Sequence, residues 1–224
     1  MAAVKTFFFN MMMHPEIQRR AQEEVDSVLG KNRLPSLHDR ASMPYVENIL
    51  KEVLRWGTVS PMGLFHCTAA NDEYMEYHIP ARSTVIPNIW AMTHDPAIYP
   101  NPFAFDPDRF HGQCEQPDPR SLAFGFGRRV CPGQHIGEAS IFIQIASVLA
   151  TLDISKATDE SGKTIEPEVA FTSTIVRYFF SLSSRNVCGS PRSELSSHIK
   201  PFKCHITPRS EHAVELVQQA LVTE

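Results

Sequence analysis

Between His14 and Gly30 the chain alternates charged and amide side chains with Ile17, Ala21, Val25, Val28 and Leu29. That three-to-four spacing predicts a helix with one buried face. Pro15 stands in its first turn, where a missing N–H costs nothing, and Gly30 marks its end. After a polar, turn-rich link, PYVENILKEVLRWG repeats the design, opened by Pro44, closed by Gly57, with a stripe of Val46, Ile49, Leu50, Val53 and Leu54. YMEYHIP and STVIPNIW read as two short strands joined by a turn at Pro80-Ala-Arg, hence a small sheet. From His94 to Arg120, Pro96, Pro100, Pro102, Pro107, Pro117 and Pro119 forbid a persistent helix or central strand. A loop that long is more often functional than incidental. Beyond Pro132 the stripe Ile136, Ala139, Ile143, Ala146 and Ala150 predicts a third helix, ending near Leu152. The tail reads as mixed strand and loop.

The opening MAAVKTFFFNMMM reads as the last turns of a helix, because Lys5 interrupts its short apolar core and no small-residue cleavage site precedes His14. No run reaches the roughly 20 apolar residues of a membrane span. The chain as written is therefore expected to have no anchor of its own. Its 224 residues, 42% hydrophobic, are enough for a buried core in one or two domains. A net charge of -4 gives no basic stripe for phosphate backbones, so nucleic acid is excluded as the expected partner. The five cysteines, Cys67, Cys114, Cys131, Cys188 and Cys204, are odd in number and never paired as C-x-x-C, which points to reduced thiols. His14, His94, His135 and His205 have no zinc-ligand spacing and receive no ligand role.

The strongest chemical signal is FGFGRRVCPG, in which Phe124, Gly127, Arg129, Cys131 and Gly133 are spaced F-x-x-G-x-R-x-C-x-G. Average residue frequencies place the chance of that pattern in such a chain on the order of one in ten thousand or less. A metal-bound cysteine must be a thiolate, whereas a free thiol with a pKa of about 8.5 is mostly protonated at neutral pH. Cys131 directly precedes a helix expected to open at Pro132, whose unsatisfied N–H groups and positive dipole end favour the anion. Gly125, Gly127 and Gly133 allow the tight turn, Phe124 and Phe126 can shield the sulfur, and Arg128 and Arg129 offer cations to an acidic ligand.

FGFGRRVCPG resembles the heme-binding loop of the cytochrome P450 family, the heme-thiolate monooxygenases. Two further motifs match in order and separation: E-x-x-R as Glu52 and Arg55 in KEVLRW, and the proline-rich loop with a late arginine as Arg109 in FDPDRF. Taken alone, E-x-x-R arises by chance in about one of every two chains of this length. Its default would be a solvated surface pair worth well under about 1 kcal/mol. The resemblance implies instead an inward-facing network of Glu52, Arg55 and Arg109 that fixes the loop before the cysteine. It also implies Cys131 as the axial thiolate of heme b, with Phe124 and Gly133 in the heme loop. Arg129 and His66 would meet the propionates. The fold implied is mainly α with a small β-rich part, the C-terminal portion of a cytochrome P450 domain. The pattern is closest to fungal members.

The implied reaction is insertion of one oxygen atom from O2 into a hydrophobic organic substrate, with electrons from NADPH through a reductase. The alternative is a truncated, inactive heme-binding remnant. The A-G-x-x-T segment that handles protons in the family is absent. MAAVKTFFFN resembles the end of that helix, so the anchor, most of the substrate pocket and the catalytic distal residues are expected in an N-terminal half not present here. Membrane contact would run through that half, and a full-length relative is expected on the endoplasmic reticulum. Residues 1–177 then form one part of the domain and 198–224 its end. Tyr178 to Ser197 is an anomalous serine-rich insertion between AFTSTIVR and HIKPFKCHITPRS, which would otherwise meet as a β-hairpin; a retained intron of sixty nucleotides would explain twenty residues. Gly57 and Thr58 also depart from the His-Pro type of pair that relatives show there.

Overall fold

The computed structural model describes residues 2–30, 32–112, 116–172 and 196–222. Helices α1 (Ala2–Met13), α2 (Pro15–Leu29), α3 (Pro44–Trp56) and α6 (Gln134–Thr151) carry the core. Short elements lie between: strands β1 (His66–Cys67), β2 (Asp72–Tyr74), β3 (Tyr77–Ile79) and β4 (Thr84–Val85), then helices α4 (Ile89–Thr93) and α5 (Arg120–Ala123). Strands β5 (Leu152–Lys156) and β6 (Cys204–Pro208) pair antiparallel, and α7 (Glu211–Val222) follows.

The first two helices read from apolar spacing form where expected. Pro15 and Pro44 occupy first-turn positions, and Gly30 ends α2 in the left-handed region at φ 61°. Glu24 of α2 reaches the start of α3, where its carboxylate accepts from the N–H groups of Tyr45 and Val46, both at 2.9 Å. Two orphan donors of α3 are thereby satisfied from a neighbouring helix. Gln18 of α2 does the same for β5, exchanging hydrogen bonds of 3.0 Å with the Ile154 main chain in both directions.

Four local expectations give way to tertiary context. YMEYHIP is not one strand: Tyr74 ends β2, Met75 and Glu76 turn with φ 49° and 68°, and Tyr77–Ile79 return as β3. STVIPNIW contributes only β4, which pairs with β1, while Ile89–Thr93 coils into α4 capped by the Asn88 side chain. On α6 the buried face is Glu138, Phe142, Ile145, Ala146 and Leu149, and Ile136 is 74% exposed. That helix is apolar nearly all round, so periodicity offered two competing faces and packing against α2 and α3 chose the other one. The tail, read as strand and loop, ends in the helix α7.

Most of Tyr178 to Ser197, and with it the proposed insertion, lies outside the described residues. On its described flanks Phe171 bridges Ile199, and the N–H groups of Thr172 and Lys200 donate to His198 O and Ala170 O at 2.7 Å. Those flanks do meet as an antiparallel pair. The departure at Gly57 also has a local reason: a Cβ there would come within 2.5 Å of the Thr6 side chain of α1. Only glycine allows α1 to pack so closely on the end of α3.

Candidate functional site

The polar side of α3 faces inward. Glu52 and Arg55 are each 0% exposed and Arg109 is 5% exposed. Glu52 accepts from Arg55 Nε at 2.7 Å, from Arg55 Nη2 at 2.8 Å, from Arg109 Nε at 3.1 Å and from the Asp106 N–H at 2.9 Å. Burial pushes the Glu52 carboxyl upward from its ordinary range, and the two guanidiniums oppose that. Two cations on one carboxylate leave a surplus positive charge, and main-chain carbonyls of the proline-rich loop answer it. Arg55 donates to Thr93 O, Pro102 O and Ala104 O, and Arg109 donates to Pro100 O and Ala104 O. Prolines prevent those carbonyls from entering a ladder, so the arginines supply the donors a sheet would have supplied.

The loop thus secured leads into α5 and the cysteine segment. Phe124 O accepts from the Cys131 N–H at 2.8 Å, closing FGFGRRVC into a tight loop with a 3-10 turn at Gly127–Arg129. Gly125 (φ 85°) and Gly127 (φ 53°) hold backbone conformations that side chains resist. Gly133 does not, at φ -89°; there a Cβ would only touch the Cys131 sulfur at 3.9 Å. Helix α6 begins at Gln134 rather than at Pro132, with Gly133 as its N-cap. Cys131 still lies just before that positive end, and its thiol is exposed.

Beside the thiol opens a cavity of about 490 Å³. Cys131, Phe124, Phe126, Arg129 and His66 all line it, and Val59, Leu64, Ile89 and Ile141 give it apolar walls. The residues singled out in the sequence therefore divide into two groups. Cys131, Phe124, Arg129 and His66 converge on the cavity, with Gly133 behind the sulfur, while Glu52, Arg55 and Arg109 form a buried layer beneath the loop. Among the described residues neither Arg129 nor His66 has a carboxylate partner. Sequence reading missed a second charge cluster, Arg40, Glu47, Arg120 and Glu138, that brackets the same loop. The available signal was faint: an arginine four residues before Phe124 and a glutamate seven after Cys131.

These residues fit a heme. An exposed thiol at an apolar cavity, with the side chains of Arg129 and His66 on its wall and no carboxylate paired with either among the described residues, suits an apolar macrocycle with a metal centre and edge carboxylates.

The cytochrome P450 family model matches residues 1–182. The cytochrome P450 monooxygenase claR of Ampulloclitocybe clavipes is 44% identical over 97% of this chain and 37% of that protein. Monooxygenase 176 of Postia placenta is 40% identical over 98% of the chain and 39% of its own length. A zebra fish cytochrome P450 structure with abiraterone covers 93% of the chain and 44% of its own, with a TM-score of 0.73 at 24% identity, and shares the fold. The chain belongs to the cytochrome P450 family, spans less than half the length of these relatives, and matches fungal members, as the pattern of the region resembling the family implied.

Proposed function

We propose that this chain provides the heme-thiolate side of a monooxygenase that inserts one oxygen atom of O2 into a hydrophobic organic substrate. The observation that carries the reading is the exposed Cys131 thiol on an apolar cavity that Arg129 and His66 also line. Bound heme b supplies an iron centre for O2 activation, favoured by an electron-rich thiolate. Cys131 offers that sulfur, and the positive end of α6 favours its anionic form. Arg129 and His66 would hold the propionates of a bound heme, the former through a planar guanidinium suited to a carboxylate. Phe124 and Phe126 line the cavity beside the sulfur and would shield it with the heme in place. Val59 and Leu64 give the cavity an apolar wall that suits a hydrophobic substrate. Glu52, Arg55 and Arg109 set the loop in place and take no part in the chemistry.

Electrons come from NADPH through a reductase partner, and the endoplasmic reticulum membrane is the proposed site of the whole enzyme. Among the described residues no helix is long and apolar enough to cross a membrane. The named activity of the fungal relatives supports the reaction class. The test is the chain expressed with hemin, reduced and exposed to carbon monoxide. A Soret band at the thiolate position is expected, and turnover of a lipophilic probe with a reductase then separates an enzyme from an inactive remnant. Bound heme lacking that band overturns Cys131 as the ligand.

A further inference from the structure

The second charge cluster is a closed ring. Arg40 Nη2 meets Glu47 Oε1 at 2.8 Å, Glu47 Oε1 meets Arg120 Nη1 at 2.6 Å, Arg120 Nη1 meets Glu138 Oε2 at 3.1 Å, and Glu138 Oε2 returns to Arg40 Nη2 at 3.2 Å. Signs alternate around it, so every charge has an opposite on both sides. Four separate pieces of chain contribute: Arg40 from the 3-10 turn Leu37–Ser42, Glu47 from α3, Arg120 from α5 and Glu138 from α6. Two side extensions brace it, Arg120 forking onto Asp118 and Gln134 Nε2 donating to Glu138 Oε1 at 2.8 Å. Asp118 and the two glutamates hold the Arg120 guanidinium well above its ordinary range.

What the ring encloses gives it meaning. Arg120 lies four residues before Phe124 and Glu138 seven after Cys131, so their direct contact joins the two ends of the cysteine loop. Glu47 ties both to α3, the helix that also carries Glu52 and Arg55. We propose that Arg120 and Glu138 are positioning residues for Cys131, a clamp that holds the loop's ends together and so sets where the sulfur stands over the cavity. The proposal rests on the heme-thiolate reading above. It assigns this role to residues outside the F-x-x-G-x-R-x-C-x-G, E-x-x-R and Arg109 motifs. The ring side chains keep between 9% and 26% of their exposure, unlike the fully buried Glu52 pair. Water can therefore answer a broken member, and loss of the clamp loosens the loop without unfolding the chain.

The test compares Glu138→Gln and Arg120→Gln with Asp26→Asn. The last removes the partner of Arg209, an ion pair of 2.7 Å and similar exposure that joins α2 to the segment after β6. In the heme-free full chain, amide hydrogen exchange across residues 124–133 is expected to quicken about tenfold in the two clamp variants and not in Asp26→Asn, because loop amides exchange through local opening that the clamp opposes. With hemin and carbon monoxide, the thiolate band is expected to lose a similar share of its intensity at equal heme content. Arg120→Lys, which keeps the charge but not the fork, should fall between and guards against a variant that fails to fold. A clamp variant matching Asp26→Asn in loop exchange overturns the proposal whether or not heme binds. A wild-type chain that binds heme without the thiolate band overturns the heme-thiolate reading instead.

Discussion

Arg55 and Glu52, three residues apart on α3, meet through Nε and Oε2 at 2.7 Å with neither side chain exposed. The remaining donors of Arg55 reach Glu52 again and the carbonyls of Thr93, Pro102 and Ala104, so all five N–H groups are engaged. Arg55→Ala leaves Glu52 buried with half its neutralisation and the carbonyls of Thr93 and Pro102 without donors, while Ala104 O keeps its bond from Arg109. The expected cost is ~3–5 kcal/mol. Heme incorporation should be lost with it. Arg55→Lys offers three donors without the planar fork and should recover only part. Denaturant unfolding and heme titration measure both, and a normal heme spectrum in Arg55→Ala would contradict the network's assigned part.

Cys131→Ser replaces a soft sulfur by an oxygen that stays protonated at neutral pH. Because the Cys131 N–H to Phe124 O bond involves only the main chain, the loop should keep its shape. The expected outcome is an unchanged melting temperature in the heme-free chain and complete loss of the thiolate-type Soret band. Circular dichroism and the reduced carbon-monoxide spectrum check the two halves separately.

His94 reports on acid. Its ring stacks on Trp90 with centroids 4.7 Å apart, and its Nδ1 lies 3.0 Å from Trp90 O. Burial, with Arg55's charge adding to it, holds the imidazole down to about 4. Between its ordinary value of about 6.5 and that depressed one, the unfolded chain takes up a proton that the folded chain refuses. Stability therefore falls as pH drops through that window, by about 2 kcal/mol once solvent screening is allowed for. Urea midpoints at pH 7 and pH 4.5 measure the slope, and His94→Phe, which keeps an aromatic stack, should flatten it.

Gly57 faces Thr6 so closely that a methyl group would stand 2.5 Å from its side chain. Gly57→Ala should therefore destabilise by ~1–3 kcal/mol through overpacking. Thr6→Ala in the same chain removes the nearer two of the three clashing atoms and should return most of the loss. Equal and additive costs for the two substitutions in a double-mutant cycle would show that no such contact exists.

Much of the architecture was legible because α2 and α3 obey simple rules: an apolar stripe on one side, proline at the start and glycine at the end. The hairpin at Met75 and Glu76 was not, since neither residue advertises a left-handed conformation. Nor was the register of α6, where apolar residues on several faces make periodicity ambiguous. The Cys131 loop stood out because five chemically constrained positions fall in ten residues. Glu52 and Arg55 show the reverse case, a pair whose spacing is common and whose local default was a solvated surface.

The sequence by itself determined the proline starts of α2 and α3 and the glycines that let FGFGRRVC turn around Cys131, because these depend on neighbours a few bonds apart. Only the tertiary structure decided that the charged side of α3 is interior, that Arg129 and His66 share a cavity with Cys131, and that Arg120 closes on Glu138. Each of those facts joins residues 18 or more positions apart, or depends on a loop whose prolines leave its carbonyls seeking donors. Burial by distant chain is what turns an unremarkable E-x-x-R into a buried network.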